Sequence, residues 1–257
     1  MSRTFYHYTT IAGCHSIITS RKIRFTDYRF LNDKQELKQG LTEFLSHLPD
    51  GKRGAFEEAF NFHSSSTSHC VLSMSKSQKI LSQWQEYADG GTGVAIGFNE
   101  QMLKYRKINL VECKYKNHEL YARGLAEKHT SFIDEVHQAA LDCHDQSFFT
   151  WISQHTADFT AVVEDLIALK NPAFEAEQEV RAVWSSDRGA VKMRISGQLM
   201  VSYTEANFWE DDEEFSSMAV AVPEIWLGPK CNELNHTALA LINMGFCTIE
   251  KYDCGYR

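Results

Sequence analysis

Glu177, Glu179 and Arg181 stand at alternate positions in the stretch Phe174 to Trp184, which reads as the entry to a buried strand. Residues two apart on a strand share a face. The three would therefore project together, with Val180, Ala182 and Trp184 on the other side. Two carboxylates and a guanidinium on one buried face are costly unless they pair or meet something polar. The spacing fits a ligand or catalytic site, and it also fits a structural ion-pair face.

Other residues carry weaker chemistry. His7 sits between Tyr6 and Tyr8 and reads equally as a half-buried strand residue. Ser73 and Ser75 fit any half-buried strand. Trp84 and Tyr87 lie one helical turn apart, as core or as a stacking platform. Asn32, Asp33 and Glu36 read chiefly as helix capping. Gly90, Gly91 and Gly93 form a turn; no G-K-[ST] follows, so a P-loop is excluded. Gly228-Pro229-Lys230 precedes a helix and could hold an anion, but reads more simply as a turn. His129, His137 and His144 lie too far apart for a helical metal site, so no metal is expected. Glu210 to Glu214 is an acidic run with the pattern of a solvated loop.

The elements that must position these residues follow from the hydrophobic pattern. Strands are predicted at Phe5–Thr9, Ile23–Phe25, Cys70–Ser75, Val94–Phe98, Asn109–Tyr115, Val180–Trp184, Val191–Ile195, Glu224–Leu227 and Cys247–Glu250. Helices are predicted at Thr10–Lys22, from Asp33, at Ala55–Phe62, Leu81–Ala88 and Leu234–Met244, with loops at 49–54 and after Ile195. Residues 118–170 are helical in pattern and read as an inserted hairpin of two helices breaking near 145–147. The fold class expected is α+β: a single domain over residues 1–257 with a mixed, split β-sheet flanked by helices, plus the helical hairpin insertion.

The bulk properties narrow the function classes. Hydrophobic content is 43% and aromatic content 12%, enough for a substantial core. The formal net charge of −8 disfavours non-specific nucleic-acid binding and, with no clustered metal-ligand pattern, a nuclease. Seven scattered cysteines without C-x-x-C fit reduced thiols in the cytoplasm. Neither a signal peptide nor a membrane-spanning run is visible.

Lined up in order, Tyr6-His7-Tyr8-Thr9, Leu31-Asn32-Asp33 with Glu36, Val71-Leu72-Ser73, Trp84 with Tyr87-Ala88-Asp89, Gly93 to Phe98, Glu177 to Arg181, and Ile225 to Pro229 resemble the bacterial domain-of-unknown-function family number 2971. The likeness covers nearly the whole chain outside 118–170. It departs at Lys34, where that family often has proline. More distantly, the arrangement resembles ADP-ribosyltransferases of the toxin and poly-ADP-ribose polymerase type. That resemblance implies a split sheet and NAD as substrate. Glu179 would act at the reacting ribose, with Glu177 adjusting the acceptor. His7, Tyr8 and Thr9 would orient nicotinamide and its ribose. Ser73, with Ser75, would support the late carboxylate, and Arg181 would hold Glu179 or a phosphate. Trp84 and Tyr87 join them as candidate substrate contacts. The expected function is an NAD-using transferase or NAD hydrolase, in a toxin or phage-defence setting, with an unidentified acceptor. The alternative is a non-catalytic ligand- or partner-binding module on the same fold. The test is whether the strands of His7, Ser73 and Glu179 meet around one cleft.

Overall fold

The computed structural model describes residues 3–31, 36–143, 146–187, 190–207, 221–243 and 247–255. Ten strands lie in one sheet: β1 (Thr4–Thr9), β2 (Lys22–Asp27), β3 (Thr67–Ser75), β4 (Val94–Asn99), β5 (Asn109–Glu112), β6 (Glu179–Asp187), β7 (Lys192–Ser196), β8 (Leu199–Asn207), β9 (Glu224–Leu227) and β10 (Thr248–Lys251). The strand order is β10-β9-β4-β1-β3-β2-β8-β7, with β6 on β3 and β5 on β6. Among the described residues β9 and β10 pair in parallel and the other strand pairs are antiparallel, so the sheet is mixed. The α+β class expected from the sequence is the one observed.

The sheet forks at β3. Along one edge, β6 pairs with all nine residues of β3, from Thr67↔Asp187 to Ser75↔Glu179. The opposite edge is shared: β1 takes Tyr6↔Ser75, while β2 takes Thr26↔Val71 and Asp27↔Cys70. Leu72, Ser73 and Met74 therefore have no strand partner on that edge. This opening is the split in the sheet.

Helices cover both faces. On one side, α1 (Ile11–Ser20), α5 (Glu100–Tyr105) and α10 (Leu234–Asn243) pack on Ile23, Phe25, Leu72, Met74, Ile96, Val180 and Ala182. On the other, α2 (Glu36–Ser46) and α3 (Asp50–Ser66) join α6 (His118–Lys128), α7 (Thr130–Asp142), α8 (Gln146–Gln154) and α9 (Thr156–Ile167) around Val71 and Val183. Phe56 sits at the centre of that layer, against Phe44, Phe60, Phe132 and Phe159. The short α4 (Leu81–Glu86) places Trp84 against Tyr8.

Several boundaries differ from the sequence reading, each for a physical reason. The 118–170 block contains four helices rather than two. Extra breaks fall at His129 and His155, whose side chains bind Asp165 and the Trp151 carbonyl instead of being announced by Gly or Pro. The block shares a core with α2, α3, Val71 of β3 and Val183 of β6, so it packs on the sheet as part of the helical layer. Residues 50–54 begin α3 rather than a loop, because Pro49 occupies the N-cap and nothing crowds Gly51 or Gly54. Strand β5 ends at Glu112, before the expected Tyr115. The stretch 199–207, read as a polar loop, is β8, whose Ser202 and Thr204 are buried between β7 and β2. Asn32, Asp33, Lys34, His144 and the acidic run 210–214 lie outside the described residues.

Candidate functional site

The fork holds a cavity of about 640 Å³. Its lining includes His7 and Tyr8 from β1, Ser73 from β3, Tyr87 after α4, Glu177 just before β6, and Glu179 and Arg181 at the start of that strand. Seven of the ten residues singled out from the sequence thus face one space. Unpaired β3 backbone meets it as well, and His7 explains part of how that backbone is satisfied. The His7 Nδ1–H donates to the Ser73 carbonyl at 2.9 Å, standing in for the missing ladder bond. Burial holds the His7 imidazolium pKa below its ordinary value, which favours the neutral ring. A neutral ring donating through Nδ1 leaves Nε2 as an acceptor.

The carboxylate end is built by a local twist that the strand pattern did not reveal. Glu177 is not on the strand. It closes a 3-10 turn over Pro172–Glu177, started by Asn171, whose side chain caps Ala173 N–H at 2.9 Å. Gln178 then adopts the left-handed conformation (φ 49°) before β6 begins. This reversal aims both carboxylates at Lys170. The Lys170 Nζ donates to Glu177 Oε2 and to Glu179 Oε2, each at 2.5 Å. Lys170 is itself held by a backbone bridge, its N–H donating to the Lys114 carbonyl at 3.0 Å. Phe174 covers the ammonium at 5.1 Å from the ring centroid.

Arg181 completes the cluster. Its Nε and Nη2 donate to the two Glu179 oxygens at 3.1 and 3.3 Å, and its Nη1 donates to the Ile167 carbonyl at 2.6 Å. Glu179 N–H donates to the Tyr115 hydroxyl at 2.7 Å. Burial pushes the Glu179 carboxyl pKa up, but Arg181 and Lys170 outweigh it and hold the group at about 2. Burial pushes the Lys170 ammonium down, and Glu179 and Glu177 together raise it above its ordinary value. Both groups are charged at neutral pH. Among the described residues Glu179 accepts three hydrogen bonds, whereas Glu177 accepts one, at Oε2, and none at Oε1. Of the two carboxylates, Glu177 has the oxygen available to a ligand.

Three expected contacts are not cavity residues. Thr9 turns toward Gly13. Ser75 is buried, and its hydroxyl donates to the Glu177 carbonyl at 2.7 Å, so it shapes the turn that carries Glu177. Trp84 is fully buried; its Nε1–H donates to the Gln78 carbonyl at 3.0 Å, and its ring meets Tyr8 edge-on at 4.9 Å. It braces Tyr8, whose hydroxyl donates to the Ser77 carbonyl at 2.9 Å. The residue missed from the sequence was Lys170. The only cue was a cation just before Pro172, at the end of a helical run.

The other motifs find structural roles. Gly228 N–H donates to the Gly93 carbonyl and Lys230 N–H to the Gly91 carbonyl, both at 2.9 Å. A Cβ on Gly228 would lie 2.3 Å from the Gly91 oxygen, so these two glycine turns lock together through backbone. His129 Nε2 pairs with Asp165 at 2.7 Å. Among the described residues, no three His, Cys, Asp or Glu side chains are grouped to hold a metal ion. No helix among them is long and apolar enough to cross a membrane.

Fold and cavity together define an α+β protein with a ligand-sized cleft at a forked sheet. The family described as "Protein of unknown function (DUF2971)" matches residues 83–182, the family identified from the ordered motifs. The matched span runs from α4 through α6–α9 to β6, taking in Tyr87, Lys170, Glu177, Glu179 and Arg181, and leaves out α2 and α3. It includes the 118–170 block, which the motif order had set outside the family. The chain matches no curated protein and no solved structure.

Proposed function

We propose that the cleft binds NAD and that the protein transfers its ADP-ribose to an acceptor or to water. The observation that carries this reading is the convergence of His7, Ser73 and the Glu177–Glu179–Arg181 group on one cavity at the β1/β2 fork. Its volume suits a nucleotide. The split sheet with an early His and a late Glu-x-Glu is the arrangement that resembles ADP-ribosyltransferases. A toxin or phage-defence setting follows only from that resemblance.

In the proposed reaction, the bond between ribose C1′ and the nicotinamide nitrogen breaks, and both electrons leave with nicotinamide. The cationic ribose carbon is then captured by an acceptor oxygen or nitrogen, which loses a proton. Glu177 Oε1 receives a ribose hydroxyl and offsets the developing positive charge. Glu179 is the anchor that holds Arg181 and Lys170. His7, neutral and with Nε2 open, takes the acceptor proton.

One observation favours a non-catalytic binding module instead. Lys170 lies against both carboxylates, and with Arg181 it brings the cluster to charge balance. Such a cluster attracts a cationic transition state less than a bare carboxylate pair. The two readings separate on nicotinamide release. Wild type and Glu177→Gln are incubated with NAD, with and without cell extract as acceptor source. Release by wild type that falls on the order of a hundredfold in Glu177→Gln supports the enzyme. NAD binding without release supports a nucleotide-binding module, and the absence of both binding and release overturns the NAD reading in favour of a module for another ligand or partner.

A further inference from the structure

We propose that the β2–β7–β8 end of the cleft is an anion subsite that takes the phosphate of a phosphorylated ligand, with Arg194 as its main contact. The inference rests on the reading of the cleft as a nucleotide site and adds what selects the nucleotide.

Strand alternation puts Arg194 and Ser196 of β7 on the cleft side, together with Val201 of β8 and with Arg24 and Thr26 of β2. The outer side of the same hairpin carries Met193 and Ile195, 62% and 72% exposed. Four cationic side chains line the whole cavity, against two carboxylates, in a chain whose formal net charge is −8. Three of the four cations are compensated. Lys170 and Arg181 hold Glu177 and Glu179, and Arg24 donates to Glu205 at 3.1 Å. Arg194 is different. Its Nη2 donates to Thr26 Oγ1 at 3.2 Å, its Nε is buried without a partner, and it forms no ion pair among the described residues.

A guanidinium with a buried, unmet N–H and no carboxylate is costly to maintain. Its planar fork of donors matches a phosphate better than any other common ligand group. Thr26 orients that fork, and Ser196, two residues on along the same strand face, also lines the cavity. The cleft is therefore two-ended. The charge-balanced Glu177/Lys170 end suits a sugar, and the Arg194 end suits a phosphate.

The test is calorimetric titration of the full chain with ADP-ribose, with inorganic pyrophosphate and with adenosine. Wild type, Arg194→Gln, Arg194→Lys and Lys192→Gln are compared, and thermal melting confirms that each folds. ADP-ribose and pyrophosphate should bind, and Arg194→Gln should weaken both by roughly tenfold to a hundredfold, with a shallower salt dependence. Arg194→Lys should retain part of the affinity, adenosine should be indifferent to all variants, and Lys192→Gln should stay near wild type. Equal ADP-ribose affinity in wild type and Arg194→Gln overturns the subsite, as does failure of pyrophosphate to bind. Pyrophosphate binding with no nicotinamide release from NAD keeps the subsite and sinks the enzyme reading. Nicotinamide release with an unchanged KM in Arg194→Gln does the reverse.

Discussion

Glu179→Gln should destabilise the fold more than Glu177→Gln does. Two routes give the same size for the first effect. The Glu179 carboxyl is held at about 2 against an ordinary 4.5 by Arg181 and Lys170, which outweigh the cost of its burial. At neutral pH that difference corresponds to roughly 3 kcal/mol of folding stability. Independently, removing one partner from a buried ion pair costs about 3–5 kcal/mol, because the other charge is left uncompensated. Here the guanidinium of Arg181 would keep only its bonds to backbone and to groups outside the ion pair, while Lys170 would keep Glu177. Glu177 shares one charge-assisted hydrogen bond with Lys170, which would keep Glu179, so its replacement should cost about 1.5–3 kcal/mol, less than that of Glu179. The sign of the pH dependence follows from the depressed carboxyl. The stability that Glu179 contributes is present above about pH 4.5 and is lost as pH falls toward 2. Urea denaturation of wild type and both variants at pH 7 measures the difference. A Glu179→Gln midpoint indistinguishable from wild type would refute the ion-pair account, and with it the assignment of Glu179 as anchor rather than reacting group.

Acid should also act through the buried pair His63 and His69, whose Nε2 atoms lie 3.1 Å apart and whose pKa values burial lowers to about 4 and about 3. The unfolded chain takes up these protons first, so stability should fall below pH 6.5 by ~2 kcal/mol per histidine at pH 5; His63→Gln should show a visibly shallower decline in urea melts. Trp84→Ala should cost ~3–5 kcal/mol by emptying a fully buried site, and a thermal midpoint equal to wild type would contradict its bracing role. Gly228→Ala should cost at least ~1–3 kcal/mol, since its Cβ would collide with the Gly91 carbonyl; a neutral result in the same melts would mean the two turns can separate freely.

The sequence made the sheet strands legible wherever apolar residues alternate or run together. Residues 70–75, 94–98 and 224–227 carry that pattern and all are strands. It failed where polar residues are buried by pairing. Ser202 and Thr204 look like loop residues until β7 and β2 close on both sides of them. The helical block misled for a related reason. Its breaks at His129 and His155 are set by side-chain bonds to partners distant or one turn back, and neither carries a Gly or Pro signal.

The candidate site shows the same division with sharper consequences. The Glu-x-Glu-x-Arg spacing picked out residues that do line one cavity, but strand alternation is not what brings the two carboxylates together. Glu177 and Glu179 meet not through strand alternation but through the left-handed Gln178, which folds a 3-10 turn back onto the strand. The partner that makes this possible, Lys170, precedes Pro172, where sequence shows only the end of a helix. Its effect is to turn two neighbouring carboxylates, which would repel each other and resist burial, into a balanced cluster with unequal members. Glu179 spends its lone pairs on Arg181 and Lys170, whereas Glu177, which lines the cleft, accepts from Lys170 through one oxygen among the described residues. Chemistry at this site therefore depends on whether a ligand that reaches Glu177 also leaves Lys170 where it is. A phosphate held at the opposite, Arg194 end would let a sugar approach Glu177 without competing for that ammonium. The two ends of the cleft would then act on one ligand.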